Sequence, residues 1–251
     1  MGIVYDVNED FFDTWSNEMA YVLGFIFADG YIGEYAYFRA KYISVSNTDR
    51  DRVELVKRLL DSSHIIRIIN KGGTYKTAYV IRIGNQRLYN RLIELGVTPR
   101  KSLTMLFPDI PREYSSSFVL GYFDGDGCVS IERNKRGQVR RLLTIFTSGS
   151  EGFLLVLHDL FRELGVKGKG LIKHGSTEGA YQLRYSTRDS LRIFLYMYDS
   201  SEMINLSLQR KYAIFVEYLT MRNLTKESIP SILDLKGPVV KREHDGLQNH
   251  Y

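Results

Sequence analysis

A single cysteine, Cys128, in 251 residues excludes a disulfide framework and any Cys-rich zinc site, and it fits a reducing compartment. Histidine is sparse too. The five present (His64, His158, His174, His244 and His250) show no ligand spacing such as His-Glu-x-x-His, which argues against a His-based metal centre. No stretch approaches the roughly 18 apolar residues that span a bilayer. The opening Met-Gly-Ile-Val-Tyr-Asp lacks a basic-then-apolar secretory pattern, and Asp6 stands where a myristoylation signal wants Ser or Thr. A soluble, intracellular protein without membrane attachment is expected, in a compartment left open. Charge is only mildly one-sided: 34 Lys and Arg against 29 Asp and Glu give +5, which permits a polyanionic partner without requiring one. What the chain does have is apolar substance. With 44% apolar and 13% aromatic residues it is not disordered, and its length suits one large domain or two halves of about 100–125 residues, each with its own core.

Two segments resemble each other: Ala20-Tyr-Val-Leu-Gly-Phe-Ile-Phe-Ala-Asp-Gly30 and Ser117-Phe-Val-Leu-Gly-Tyr-Phe-Asp-Gly-Asp-Gly127, offset by 97 residues. An extended, β-branched and aromatic segment follows each, at 35–46 and 140–146. Amphipathic helices are predicted next, over 51–60 and 151–164. Strand pairs then fall at 65–70 with 78–83, and at 170–173 with 181–186. Helices over 86–95 and 189–198 close the units, the first stopped by Gly96 and Pro99. A last helix spans about 208–219. The predicted order is αββαββα, twice: an α+β fold with a four-stranded antiparallel sheet in each repeat. Phe107-Pro-Asp-Ile-Pro111 is the natural joint, which gives a first repeat over 1–107, a second over 108–222, and a tail over 223–251 that reads as a packed strap or a partly ordered end.

Each repeated segment reads as a helix ending in Asp-Gly, the glycine being available for a left-handed cap. Small residues stand four apart on both, Gly24 with Ala28 and Gly121 with Gly125, and such a stripe lets two helix backbones approach closely. If the two helices pack about a pseudo-twofold axis, Asp29 and Asp126 meet beside helix ends that are already partly negative. A divalent cation relieves that concentration of charge, and all-oxygen ligation with positions open to water and phosphate suits Mg²⁺ best. The chemistry this implies is phosphodiester hydrolysis.

On these two segments the chain resembles the LAGLIDADG homing endonucleases, of the single-chain kind with two motif copies. The matching stretches are Val22–Gly30 and Val119–Gly127, and the resemblance extends over about residues 16–220. It implies a monomer with internal pseudo-twofold symmetry whose eight strands form a saddle over double-stranded DNA. It further implies a long asymmetric target cut on both strands across the minor groove to leave 3′ overhangs, and mobility of the encoding element. Asp29 and Asp126 take the place of the catalytic, metal-binding acids, with Ala28 and Gly125 beside them at a Mg²⁺ site that Mn²⁺ or Ca²⁺ can also occupy. Lys101 and Lys211 fall at the family's basic position, where a lysine stabilises developing charge or orders water. Asn47 and Thr147 fall at its polar, water-positioning one. Asp124 matches Phe27 in the other copy and reads as an accessory or tolerated surface acid, and Cys128 as a small buried residue after the turn. An RNA maturase, or a non-cleaving DNA-binding protein of the same fold, is the alternative.

Basic residues alternate with apolar ones on several strands, which suits a sheet with one face on helices and one cationic face. Arg67, Arg82 and Arg184 stand this way, and Arg39, Lys41, Lys71, Lys76, Arg133, Lys135, Arg136, Arg140, Arg141 and Lys173 add charge on strands and turns. As a set they are expected on DNA phosphates and base edges. A GIY-YIG nuclease, imitated by Gly2-Ile3-Val4-Tyr5 and Tyr31-Ile32-Gly33, is rejected because a motif helix separates segments that would have to be neighbouring strands.

Overall fold

The computed structural model describes residues 5–35, 40–70, 72–99, 103–173 and 181–233. The first repeat runs α1 (Asn17–Asp29), β1 (Gly30–Tyr35), β2 (Ala40–Asn47), α2 (Arg50–Leu59), β3 (Ile66–Ile69), β4 (Ala78–Ile83) and α3 (Gln86–Glu94). The second runs α4 (Ser115–Asp126), β5 (Gly127–Arg133), β6 (Val139–Ser148), α5 (Glu151–Glu163), β7 (Leu171–Lys173), β8 (Tyr181–Tyr185), α6 (Thr187–Met197), α7 (Ser201–Leu206) and α8 (Gln209–Met221), and a short α9 (Ile229–Ile232) follows. Both sheets are antiparallel and share one topology, β1-β2-β4-β3 and β5-β6-β8-β7. The expected α+β order is thus present twice. α7 is an addition to the expected elements, only six residues long and too short for a periodicity to show.

Several helix starts have a local cause. Ser16 accepts from the Met19 N–H at 3.1 Å, Asn85 from Leu88 at 2.9 Å and Ser150 from Phe153 at 3.3 Å, which satisfies donors that a helix leaves unpaired. After α3, Gly96 sits at φ +90, the left-handed stop expected of it. The motif glycines behave otherwise. Gly30 (φ −90, ψ 152) and Gly127 (φ −93, ψ 159) are extended, so the left-handed cap expected there does not form. Glycine is required at these two positions by proximity: a Cβ on Gly30 would lie 2.5 Å from the Ile26 carbonyl oxygen, and one on Gly127 would lie 2.1 Å from the Phe123 ring. The chain leaves each helix directly into the first strand of its sheet.

α1 from Met19 to Phe27 and α4 from Ser115 to Asp124 are buried on every side, as befits helices that are apolar almost all round. They cross at the small residues. A Cβ on Gly24 would lie 2.0 Å from the Phe118 carbonyl oxygen and 2.9 Å from the Tyr122 nitrogen; one on Gly121 would lie 2.0 Å from the Tyr21 carbonyl oxygen and 3.0 Å from the Phe25 nitrogen. Each of these contacts maps onto the other at the same 97-residue offset, so the packing is pseudo-twofold. The sheets wrap the pair, their inner faces supplying Ile43, Val45, Ile81 and Ile83 from one repeat and Leu142, Phe146, Leu183 and Tyr185 from the other. Beyond α8, Ile229 and Leu233 are buried, and Arg188 and Arg192 donate to the carbonyls of Ile232 and Leu233. That stretch of the tail straps α6, and 234–251 lies outside the described residues.

This geometry sets an expectation for stability. Gly24→Ala forces a methyl into a backbone contact and is expected to destabilise by about 1–3 kcal/mol. Gly152→Ala, where an added Cβ meets nothing within 4 Å on a helix, is expected to be neutral or stabilising by up to about 1 kcal/mol. Urea denaturation of the two variants checks the contrast.

Candidate active site

The crossing of α1 and α4 fixes where the motif acids stand. Asp29 ends α1 half-buried, and its carboxylate lies against the last turn of α4: a Cβ on Gly125 would be 3.0 Å from Asp29 Oδ2 and 2.3 Å from the Ala28 Cβ. Asp126 ends α4 one residue beyond Gly125 and is exposed. The buried Tyr122 hydroxyl feels both acids; burial, then Asp126 and Asp29, raise its pKa, while it donates to the Thr147 carbonyl at 2.7 Å. Ala28 and Gly125 touch where the helices meet. The expected pair of acids is therefore gathered at one place, together with two helix C-termini.

The residues around the acids differ between the repeats. Asn47, ending β2, donates from Nδ2 to Asp29 Oδ2 at 2.5 Å and accepts the Asp49 N–H on Oδ1 at 2.6 Å. Thr147 is not the counterpart of Asn47: counted from the paired residues Gly30–Val45 and Gly127–Phe146, that place belongs to the buried Ser148. Ser148 Oγ accepts the Ser150 N–H at 3.0 Å, as Asn47 accepts that of Asp49. Thr147 faces outward by strand parity and contributes its main-chain carbonyl to Tyr122. Lys211, in the first turn of α8, is 3% exposed. Its ammonium donates to the carbonyls of Phe123 (2.5 Å), Asp124 (2.9 Å) and Gly127 (2.6 Å). Three donors meet three acceptors, and the lysine staples the turn that carries Asp126. Burial lowers its pKa to about 8, with Asp124 opposing. Lys101, its expected counterpart, lies outside the described residues.

Asp124 corrects the surface reading. It is 1% exposed, with Oδ2 accepting from the Tyr21 hydroxyl at 2.7 Å and the Leu208 N–H at 2.6 Å, and Arg52 Nη1 standing 3.9 Å away. Asp124 thus binds the start of α8 while Lys211 of α8 binds the end of α4. Arg52 extends the cluster to the Tyr21 hydroxyl (3.0 Å) and the Leu206 carbonyl (2.5 Å). At the pseudo-symmetric position, with Phe118 for Tyr21, Phe27 for Asp124 and Phe153 as the third residue of α5 as Arg52 is of α2, three rings pack with centroids 5.3–6.5 Å apart. A polar triad on one side of the axis is mirrored by an aromatic triad on the other. The signal in the sequence is an acid within an otherwise apolar helix; its hydrogen-bond partners, 84 and 103 residues distant, give none. Cys128 is also corrected: it is exposed, on the outer face of β5.

The outer sheet faces carry part of the expected cationic set. Arg82 pairs with Ser44 between buried Ile81 and Ile83, and its guanidinium lies over the Tyr42 ring at 4.8 Å. Arg184 pairs with Ile145 and is tied to Gln182 Oε1 at 2.7 Å and 2.9 Å. Arg67, Lys76, Lys135, Arg136 and Arg140 are exposed, and Arg141 bridges to Glu132 at 2.8 Å. Two members of the set face the other way. Lys41 donates to Asn90 at 2.9 Å over the Tyr89 ring, and Arg133 reaches Glu217 of α8 at 3.4 Å; both are drawn to helices, where a partner awaits a strand residue of the wrong parity for the outer face. Arg39, Lys71 and the side chain of Lys173 lie outside the described residues.

Among the described residues no group of three or more His, Cys, Asp or Glu forms a ready-made metal cage, and no helix is long and apolar enough to cross a membrane. The donor set at the motif ends is two carboxylates beside main-chain carbonyls. Being all oxygen and incomplete, it fits a hard divalent cation that fills its shell with water and phosphate oxygens.

Burial pushes the Asp124 carboxyl up to about 6, against Lys211 and the Tyr21 hydroxyl. A folded-state value above the unfolded one, about 3.9, means that the native state holds the proton more tightly, so this group's contribution to stability is full below about pH 4 and lost as pH rises through about 6. Asp49, held low by Arg210, acts in the opposite sense, so the measurement is a comparison: from pH 4 to 7 the wild type is expected to lose stability relative to Asp124→Asn in chemical denaturation. A pH-independent difference between the two proteins contradicts the buried, raised carboxyl.

A model of the LAGLIDADG-like domain matches the chain twice, over residues 16–95 and 113–197. Comparison with curated proteins returns no sequence match. Among solved structures, that of I-DmoI in complex with DNA and Mn is 22% identical, with a TM-score of 0.51, over 74% of this chain and 97% of that one. The LAGLIDADG homing endonuclease I-GzeII in complex with its DNA target is 12% identical, with a TM-score of 0.53, over 91% and 100%. At such identities the likeness is one of fold. The two family matches each contain one motif helix and together span more than half the chain, and with the paired acids where those helices meet, the chain belongs to the LAGLIDADG family, two copies of the domain in one polypeptide.

Proposed function

We propose that the protein is a site-specific double-strand DNA endonuclease that acts as a monomer, its repeats divided at 107/108 and followed by a tail over 223–251. The observation that carries this reading is the meeting of Asp29 and Asp126 at the α1–α4 crossing, in an arrangement that suits a divalent cation shared with a phosphodiester. Asp29 and Asp126 would hold the metal, Mg²⁺ by the fit of its hard, water-rich coordination, with Ala28 and Gly125 at the same place. When bound, such a cation activates a water for in-line attack and stabilises the leaving oxygen. The chain's own residues orient the acids: Asn47 holds the Asp29 carboxylate, and Lys211 holds the turn around Asp126. The outer faces of both sheets, with Arg67, Arg82 and Arg184, provide the cationic track for an extended duplex. Because the repeats are not identical, the target is asymmetric; cuts across the minor groove leaving 3′ overhangs, and a role in mobility of the encoding element, follow the family pattern. I-DmoI, of the same fold, is solved in complex with DNA and Mn and with DNA and Ca, which is consistent with a divalent requirement.

The deciding assay incubates DNA carrying the flanks of the gene's own insertion site with and without Mg²⁺. Discrete cutting is expected only with metal. Asp29→Asn and Asp126→Asn are each expected to reduce it by about three orders of magnitude or more, the scale of removing a preorganised charge, while binding persists. Binding with no cleavage by the wild type defeats the enzyme reading in favour of a maturase or a DNA-binding protein. For the binding face, Arg82→Ala and Arg184→Ala are each expected to lower affinity and to reduce the salt slope by about one. Lys41→Ala, facing α3, is expected to leave the slope unchanged in the same filter-binding titration.

A further inference from the structure

We propose that Arg210 and Asp49 are positioning residues for Asp29, so that one turn of α8 holds both motif acids in register. The proposal rests on the reading of Asp29 and Asp126 as the catalytic pair. Arg210 and Lys211 are consecutive. Lys211 clasps three carbonyls on either side of Asp126, as described above; Arg210 reaches into the other repeat, with Nε 3.1 Å and 3.2 Å from the two Asp49 carboxylate oxygens and Nη2 2.7 Å from Oδ2. A guanidinium fork fixes direction as well as charge. The anchored Asp49 presents its main-chain N–H to Asn47 Oδ1 at 2.6 Å, and Asn47 presents Nδ2 to Asp29 Oδ2 at 2.5 Å.

The order of these bonds matters chemically. An asparagine amide has one acceptor end and one donor end. With the Asp49 N–H directed at it, the acceptor end must face Asp49, and the donor end is left for the Asp29 carboxylate. Were Asp49 to drift, the amide could turn its oxygen toward Asp29 and repel it. The use made of Asp49 points the same way. It stands at the N-cap of α2, where an Asp side chain ordinarily binds the helix's own N–H groups, yet it makes no such bond. In the second repeat Ser150, at the same place before α5, caps Phe153 in the ordinary way. The first repeat has diverted its capping side chain to Arg210, whose hydrogen bond is the chief cause of the lowered Asp49 pKa.

Arg210→Ala and Asp49→Ser test this, the serine being the residue the second repeat uses. The first readout needs neither metal nor activity: the side-chain amide resonances of Asn47 in the metal-free protein, assigned with Asn47→Asp. Both variants are expected to shift them, with the melting temperature little changed because Arg210 is 58% exposed and Asp49 23%. The second is Mn²⁺ affinity by calorimetry, expected to weaken by about 10- to 100-fold. Single-turnover cleavage is expected to slow by a similar factor in Asp49→Ser, although removing an acid cannot weaken the attraction of DNA. The double variant is expected to lose no more than either single one. Unchanged Asn47 resonances in both variants, or losses that add in the double variant, overturn the proposal. A wild type that binds DNA but never cuts it defeats the endonuclease reading instead, and the Asn47 resonances and Mn²⁺ affinity still decide the role of Arg210.

Discussion

Everything at the centre of this molecule depends on two helix backbones touching. At Gly24 and Gly121 a Cβ would stand 2.0 Å from a carbonyl oxygen of the opposite helix, so no other residue type preserves the approach. Because the helices also end together, the same contact that makes the core places two carboxylates and two sets of main-chain carbonyls side by side. Burial of the apolar helix surface stabilises the arrangement, and the concentration of negative charge at its end is tolerated because that end is open to solvent. Structure and chemistry share one interface, which is why the site is built at the seam between the repeats.

Around that symmetric contact the molecule is unsymmetric in a systematic way. One side of the axis carries Tyr21, Asp124 and Arg52; the other carries three phenylalanines. α8, which the first repeat lacks among the described residues, starts against the polar side, where Asp124 binds its N-terminus and Lys211 returns to the end of α4. A buried carboxylate held by a hydroxyl, a backbone N–H and nearby cations offsets its desolvation by those partners. The compensation is partial: Asp124 Oδ1 is buried with no hydrogen-bond partner among the described residues, in line with the upward push of burial on its pKa.

The fold was legible because its signals are local or repeated. Strand alternation, helix periodicity and the duplicated motif each occur within a short window, and the 97-residue offset turned two weak signals into a strong one. The stripe of small residues on the two motif helices was legible for the same reason. What could not be read depends on distant partners. Asp124 is buried because Tyr21 and Leu208 come to it from 103 and 84 residues away, and Cys128 is exposed because β5 places it on the outer face. Lys41 and Arg133 were assigned by charge alone, when strand parity and the helix partners Asn90 and Glu217 decide their direction. The extended Gly30 and Gly127 show that a glycine can be demanded by a neighbour as readily as by its own torsion angles.

The mirrored triads also bear on ancestry. Two copies of the first repeat, joined as a dimer through the same seam, would set Tyr21 against Phe27 and bury a hydroxyl with no acceptor. Two copies of the second would set Asp124 against Phe118 and bury a carboxylate with neither hydroxyl nor guanidinium. Once the halves had diverged this far within one polypeptide, each became the obligate complement of the other, and the route back to a self-pairing half was closed.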